Sequence, residues 1–197
     1  MTASEQRGDL LIATTSNYQR RWDDHGSKAD RDVALWHPKP DGEFRPLGSL
    51  AVDHYSTVNR LSALLANAPG KSALAAPVGY TRVWDDTGGS AERDVSIWRP
   101  VAPEGYVALG DVAVPGYNQP SVKDVWCVRA DLTERGAFGS PVWDDRGARH
   151  RQNVSIWPVK ADDRVADGQS DTFAQYTFIS NAAHDSPGTG LAYVLLG

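Results

Sequence analysis

Trp84-Asp85-Asp86-Thr87-Gly88, running on to Asp94-Val95-Ser96-Ile97-Trp98, decides the fold, because the same stretch occurs three times without a gap. Trp22-Asp23-Asp24-His25-Gly26 reaches Asp32-Val33-Ala34-Leu35-Trp36, and Trp143-Asp144-Asp145-Arg146-Gly147 reaches Asn153-Val154-Ser155-Ile156-Trp157. In every copy the two tryptophans stand 14 residues apart, and the copies start 62 and 59 residues apart. Six of the chain's seven tryptophans fall on these two positions, so the repeat organises the whole molecule. One such unit cannot bury its own apolar face, and three are expected to share a core.

Working outward, Asp94-Val95-Ser96-Ile97-Trp98 alternates with a period of two, placing Val95 and Ile97 on one face and Ser96 and Trp98 on the other. Tyr80-Thr81-Arg82-Val83-Trp84 reads as a second strand, and the loop between the two carries Gly88 and Gly89. Val125-Trp126-Cys127-Val128 and residues 191–196 read as further strands. Residues 57–65 look locally helical, but by offset they match the segment ending at Trp126-Cys127, so strand is expected there too. Copies one and two keep matching downstream: Phe44, Gly48, Ala51 and Tyr55 answer Tyr106, Gly110, Ala113 and Tyr117. Copy three departs from the pattern after Trp157.

The expected fold is therefore all-β, a single domain over residues 1–197 with repeats of about 10–66, 67–130 and 131–197. A pseudo-threefold β-prism fits three multi-strand units of this size. A β-trefoil is the alternative, although sixty residues is long for one of its units. The terminal strands, Leu10-Leu11-Ile12-Ala13 and residues 191–196, are expected to share a sheet and close the ring.

Composition narrows the function. A formal net charge of -5 argues against a nucleic-acid partner, which requires a basic face. No apolar run is long enough to span a bilayer. Cys127 is the only cysteine, so no internal disulfide holds the fold. The polar start, Met1-Thr2-Ala3-Ser4-Glu5-Gln6-Arg7, lacks a secretory apolar stretch, which gives an expectation of a cytoplasmic protein or one released without a signal peptide.

The string Val83-Trp84-Asp85-Asp86, then Asp94-Val95-Ser96-Ile97-Trp98-Arg99-Pro100, then residues 103–113, resembles the vacuolar protein sorting-associated protein 62 family. The Asp-Val-Ser-Ile-Trp element is also similar to the C-terminal β-prism domain of bacterial membrane-attack-complex/perforin-type insecticidal proteins. The resemblance implies a membrane-trafficking or target-recognition setting and no particular reaction.

Two sets of residues are candidates for a site. The first is acidic: Asp23, Asp24 and Asp32; Asp85, Asp86 and Asp94; Asp144, Asp145 and Asn153. Clustered carboxylates beside a loop glycine suit Ca²⁺ or another divalent cation. The competing reading is that these side chains bond nearby backbone N–H groups and shape the turn. The basic residues Arg146, Arg149 and Arg151 in copy three weaken the metal reading there. The second set is aromatic: Trp36, Trp98 and Trp157, on the polar face of the strand, are candidates for partly exposed ligand platforms, while Trp22, Trp84 and Trp143 are expected in the core.

No metalloprotease, nucleophile-elbow or phosphate-loop motif is present, and the five histidines occupy no common repeat position. The expectation is a non-enzymatic, lectin-like module for glycans or cell-surface targets, with a divalent cation as a possible aid and no organic cofactor. A lipid-headgroup or protein-trafficking adaptor with a protein partner, and a hydrolase using one acidic loop, are the alternatives.

Overall fold

The alternation around Ile97 builds the middle strand of a sheet. Val95–Val101 pairs antiparallel with Gly79–Asp85 on one side and Val112–Pro115 on the other. Repeat 1 forms the same sheet from Tyr18–Asp23, Ala34–Pro38 and Leu50–Val52, and repeat 3 from Trp143–Asp144, Ser155–Ala161 and Phe178–Asn181. The computed structural model describes residues 4–58, 63–70, 72–161 and 175–196. Among these residues all sheets are antiparallel, and the only helical elements are the short 3₁₀ turns Ala130–Leu132 and Thr189–Leu191. The all-β expectation is met. Residues 63–65 of the locally helical-looking stretch lie in the strand Ala63–Asn67, and residues 59–62 lie outside the described residues.

Each repeat adds a second set of strands whose outer members pair with each other. Leu10–Thr15 pairs with Ala63–Asn67, Leu74–Ala75 with Cys127–Arg129, and Thr133–Phe138 with Tyr193–Leu195. The terminal strands therefore do not share a sheet, contrary to the expectation from sequence. Each repeat closes on itself, so the hydrogen-bonding edges of Leu10–Thr15 and Tyr193–Leu195 are used by their own repeats. The two termini still meet through side chains, since Leu10 and Leu195 belong to one buried cluster with Leu47, Leu64, Leu109 and Val128.

The ring is joined at its centre by the first tryptophan of each repeat. Trp22, Trp84 and Trp143 are 0–1 % exposed and pack edge-to-face, with ring centroids 6.2, 5.9 and 6.1 Å apart. Each pair of rings in this geometry contributes about 1 kcal/mol beyond its burial. Each indole also donates to a carbonyl of the next repeat. Trp22 Nε1 reaches Arg93 O at 2.7 Å, Trp84 Nε1 reaches Gln152 O at 2.9 Å, and Trp143 Nε1 reaches Arg31 O at 2.8 Å. The acceptor is always nine residues past its own repeat's Trp, so one sequence position satisfies a buried donor at all three seams.

The loops repeat this cyclic pattern. Glu92 N donates to His25 O at 3.0 Å, Arg151 N to Thr87 O at 3.3 Å and Asp30 N to Arg146 O at 2.8 Å. Gly26, Gly88 and Gly147 turn these loops at φ of 82°, 84° and 87°, a region glycine enters without steric cost. Val33, Leu35, Val95, Ile97, Val154 and Ile156 fill the space around the tryptophans from all three sheets.

A second point of convergence lies where Leu50–Val52, Val112–Pro115 and Phe178–Asn181 begin. A Cβ on Gly48 would stand 2.8 Å from Gly110 Cα and 2.9 Å from Thr177 Cγ2, so only a glycine fits there. The threefold pattern is incomplete at this point. Ser49 Oγ accepts Ala113 N at 3.1 Å and Asp111 Oδ2 accepts Ser180 N at 2.7 Å, but repeat 3 places Phe178 at the equivalent position. Arg99 holds the buried Asp111 with two bonds of 2.9 Å.

Candidate recognition site at the seams between repeats

The second Asp of each Trp-Asp-Asp motif bonds the strand that follows its loop. Asp24 Oδ1 accepts Val33 N at 2.9 Å, Asp86 Oδ1 accepts Val95 N at 3.1 Å, and Asp145 Oδ1 accepts Val154 N at 3.0 Å. The first Asp closes a tight turn onto the amide two residues on. Asp23 accepts His25 N at 3.2 Å, Asp85 accepts Thr87 N at 3.0 Å, and Asp144 accepts Arg146 N at 3.1 Å. These are the turn-shaping bonds of short polar side chains. Each first Asp is also ion-paired: Asp23 to Arg20 at 3.0 Å, Asp85 to Arg82 at 3.2 Å, and Asp144 to Arg146 at 2.8 Å and Arg31 at 3.3 Å.

Asp32 and Asp94 are drawn to the second Asp by a tyrosine. Tyr55 Oη donates to Asp24 at 2.8 Å and lies 3.0 Å from Asp32. Tyr117, at the same position in repeat 2, lies beside Asp86 and Asp94. Burial, with the neighbouring Asp86 charge, pushes the Tyr117 hydroxyl up to about 12, and burial pushes the Asp86 carboxyl up. In repeat 3 the tyrosine position is His184, whose Nε2 lies 2.7 Å from Asp145 Oδ1, while His150 Nδ1 lies 3.3 Å from Asp145 Oδ2. Burial pushes the Asp145 carboxyl up, but the two histidines and the Val154 amide outweigh it and leave the pKa lowered. Among the described residues, no group of three or more His, Cys, Asp or Glu side chains is placed to hold a metal ion.

Trp36, Trp98 and Trp157 are half-buried on the outer faces of their sheets. A β-bulge falls at the same place in repeats 1 and 2, skipping Arg21 in one and Val83 in the other. It sets Arg20 opposite Trp36 and Arg82 opposite Trp98, and each guanidinium lies over its indole at 5.5 and 5.9 Å from the centroid.

The bulge residue and its neighbour also line clefts at the seams. A cleft of about 640 Å³ lies between repeats 1 and 3, with Arg31, Asp32 and Asp53 facing Pro141 and Val142. A second, of about 490 Å³, lies between repeats 3 and 2, with Gln152, Asn153 and Ala182 facing Arg82 and Val83. The two correspond position by position. Arg31 and Gln152 follow their Trp by nine residues, Asp32 and Asn153 by ten, and Val142 and Val83 precede theirs by one. The same positions at the third seam are Arg93, Asp94, Arg20 and Arg21.

A family model for vacuolar protein sorting-associated protein 62 matches residues 2–189, nearly the whole three-repeat body. The chain belongs to the vacuolar protein sorting-associated protein 62 family. This member is also similar in structure to the insecticidal protein GNIP1Aa from Chromobacterium piscinae. The TM-score is 0.76 at 27% identity, covering 94% of this chain and 37% of that one. The chain thus spans little more than a third of the length of that protein. No curated protein matches it.

The acidic candidates of the family member fall into two groups. Asp23, Asp24, Asp85, Asp86, Asp144 and Asp145 lie against backbone amides, whereas Asp32 and Asn153 line seam clefts and Asp94 holds the same position at the third seam. Of the aromatic candidates, Trp98 borders a cleft through Arg82. Sequence reasoning missed Val83, Val142, Arg31 and Gln152, because a cleft between repeats is invisible in the spacing within one. It also missed His184. Ser180 stands 23 residues past Trp157, where Ala51 and Ala113 stand 15 past Trp36 and Trp98, and this insertion hides the register.

Proposed function

We propose that this chain is a non-enzymatic recognition module of β-prism form, which binds glycans or glycan-bearing surface targets in its seam clefts. The observation that carries the reading is the position-by-position equivalence of the two clefts. Each offers a carboxylate or amide, a cation and a small apolar wall, the combination that orients a polyol through hydrogen bonds while covering its apolar face. Shallow equivalent sites are weak singly and gain through simultaneous engagement of a multivalent surface. The likeness to part of the longer GNIP1Aa chain supports reading this chain as a module. The cyclic joining of three sheets around Trp22, Trp84 and Trp143 supports the prism form. No cation is assigned to the Trp-Asp-Asp loops, since protein donors take up their carboxylates.

The test is a glycan array probed with the parent and with a combined Asp32→Ala, Asn153→Ala variant. Selective binding by the parent, lost in a variant that melts within a few degrees of it, is the expected result. An array on which the folded parent binds nothing overturns the proposal. The family's description as a sorting protein favours a second reading, an adaptor for lipid headgroups or trafficking proteins. Liposome flotation without any glycan binding would select it.

A further inference from the structure

We infer that the seam between repeats 1 and 3 carries a paired-arginine site for an anionic group on the ligand, a carboxylate or sulfate ester borne by a sugar. The inference rests on the glycan reading above and names the ligand class at one of its seams. In repeats 1 and 2 the first Asp of the motif is paired with an arginine of its own strand, Arg20 or Arg82. Repeat 3 has Pro141 at that position, so Asp144 recruits two other guanidinium groups. Arg146 comes from its own loop at 2.8 Å and Arg31 from repeat 1 at 3.3 Å, both to the same oxygen, Oδ2. Arg31 is further fixed by Pro141 O at 3.5 Å.

The carboxylate beneath is 8 % exposed, while the two arginine side chains are 49 % and 56 % exposed. Two cations are thus held side by side over one buried anion, with N–H donors left facing solvent. Planar guanidinium forks bind carboxylate and sulfate-type oxygens in pairs, and fixing the forks in advance lowers the cost of doing so.

The surrounding loop reinforces the sign. Repeat 3 carries Arg146, Arg149 and Arg151 against Asp144 and Asp145 in the stretch where repeats 1 and 2 each carry four carboxylates. Lys28 lies on the loop of repeat 1 that interlocks with this one through Asp30 N and Arg146 O. Three acids face the same region: Asp30, whose Oδ1 lies close to Gly147, Asp32, which Tyr55 holds, and Asp53, which lines the cleft beside Arg31. The site is therefore assigned to the solvent-exposed, outward side of Arg31 and Arg146, at the rim of the cleft.

The probes are a sulfated oligosaccharide with its desulfated counterpart, a uronic-acid oligosaccharide with its neutral reduced counterpart, and phosphatidylserine vesicles. The parent is expected to prefer each acidic glycan by about tenfold at low salt, a preference that shrinks as salt rises. Arg146→Gln should abolish the preference and keep binding to the neutral partner, whereas Arg31→Gln, at the cation of the cleft itself, should abolish the preference and also weaken binding to the neutral partner. Arg146→Lys, with charge but no fork, should keep only part of it. Equal binding of acidic and neutral partners overturns this inference alone, as does a folded Arg146→Gln variant with its preference intact. Binding of none of the four glycans overturns this inference, and only an empty glycan array overturns the underlying function as well. Arg146-dependent capture by vesicles without glycan binding replaces the sugar with a lipid headgroup and likewise overturns it.

Discussion

Ala34→Ser should stabilise the protein, because repeats 2 and 3 show what repeat 1 lacks. Ser96 Oγ donates to Gly116 O at 2.6 Å and accepts Trp98 Nε1 at 2.8 Å, and Ser155 Oγ does the same with Ala183 O at 2.6 Å and Trp157 Nε1 at 2.8 Å. Repeat 1 has Ala34 at this buried position, and Trp36 Nε1 is buried without a hydrogen-bond partner. The carbonyl equivalent to those of Gly116 and Ala183 is that of His54. A serine would add both bonds, each worth about 0.5–1.5 kcal/mol net, and remove an orphaned donor whose burial costs about 1–3 kcal/mol. Desolvating the new hydroxyl offsets part of this, leaving a gain of about 1–2 kcal/mol, or a melting temperature higher by roughly 3–6 °C for a chain of this size.

Thermal melts and urea titrations of the parent and Ala34→Ser measure the gain, and the same change in a Trp36→Phe background isolates the indole's share. The gain should shrink by about half there, since one of the two bonds has no donor. No stabilisation at an unchanged m-value would refute the reasoning. It would mean that a bound water already serves Trp36 or that the His54 carbonyl is out of reach.

Acidification should weaken the fold through His37. Burial, and then the Arg21 charge, press this histidine down to about 3 from an ordinary value near 6.5, so between those values the unfolded chain holds a proton that the folded chain does not. Stability should fall by about 2 kcal/mol between pH 6.5 and 5, and His37→Gln should flatten that dependence in urea titrations. Gly48→Ala should destabilise by about 1–3 kcal/mol, since its methyl meets the Gly110 backbone, which cannot move aside; thermal melts read the loss. Chelator and millimolar Ca²⁺ should leave the melting temperature unchanged, whereas Asp86→Ala should cost about 1–3 kcal/mol by stranding the Val95 amide. A Ca²⁺-dependent rise that Asp94→Asn abolishes would restore a cation site to the Trp-Asp-Asp loops.

The sequence by itself determined the number of repeats, the strand on which each second tryptophan lies and the burial of each first one. These follow from local facts: a period of two in Val95-Ser96-Ile97-Trp98, and a tryptophan recurring at fixed spacing. The acidic residues were equally legible as a group, but their roles were not. A carboxylate two residues from an amide and one facing a cleft look alike in a string, and only the path of the chain separates Asp86 from Asp32. The tertiary structure alone decided how the ring closes. The edges of Leu10–Thr15 and Tyr193–Leu195 pair within their own repeats, so the seams are joined by indole N–H bonds, interlocking loops and the bonds of Ser49 and Asp111 to the next repeat. Every group in the proposed sites, from Val83 beside Asn153 to Arg31 beside Arg146, comes from two repeats at once. Spacing within one repeat carries no record of what the next repeat sets against it.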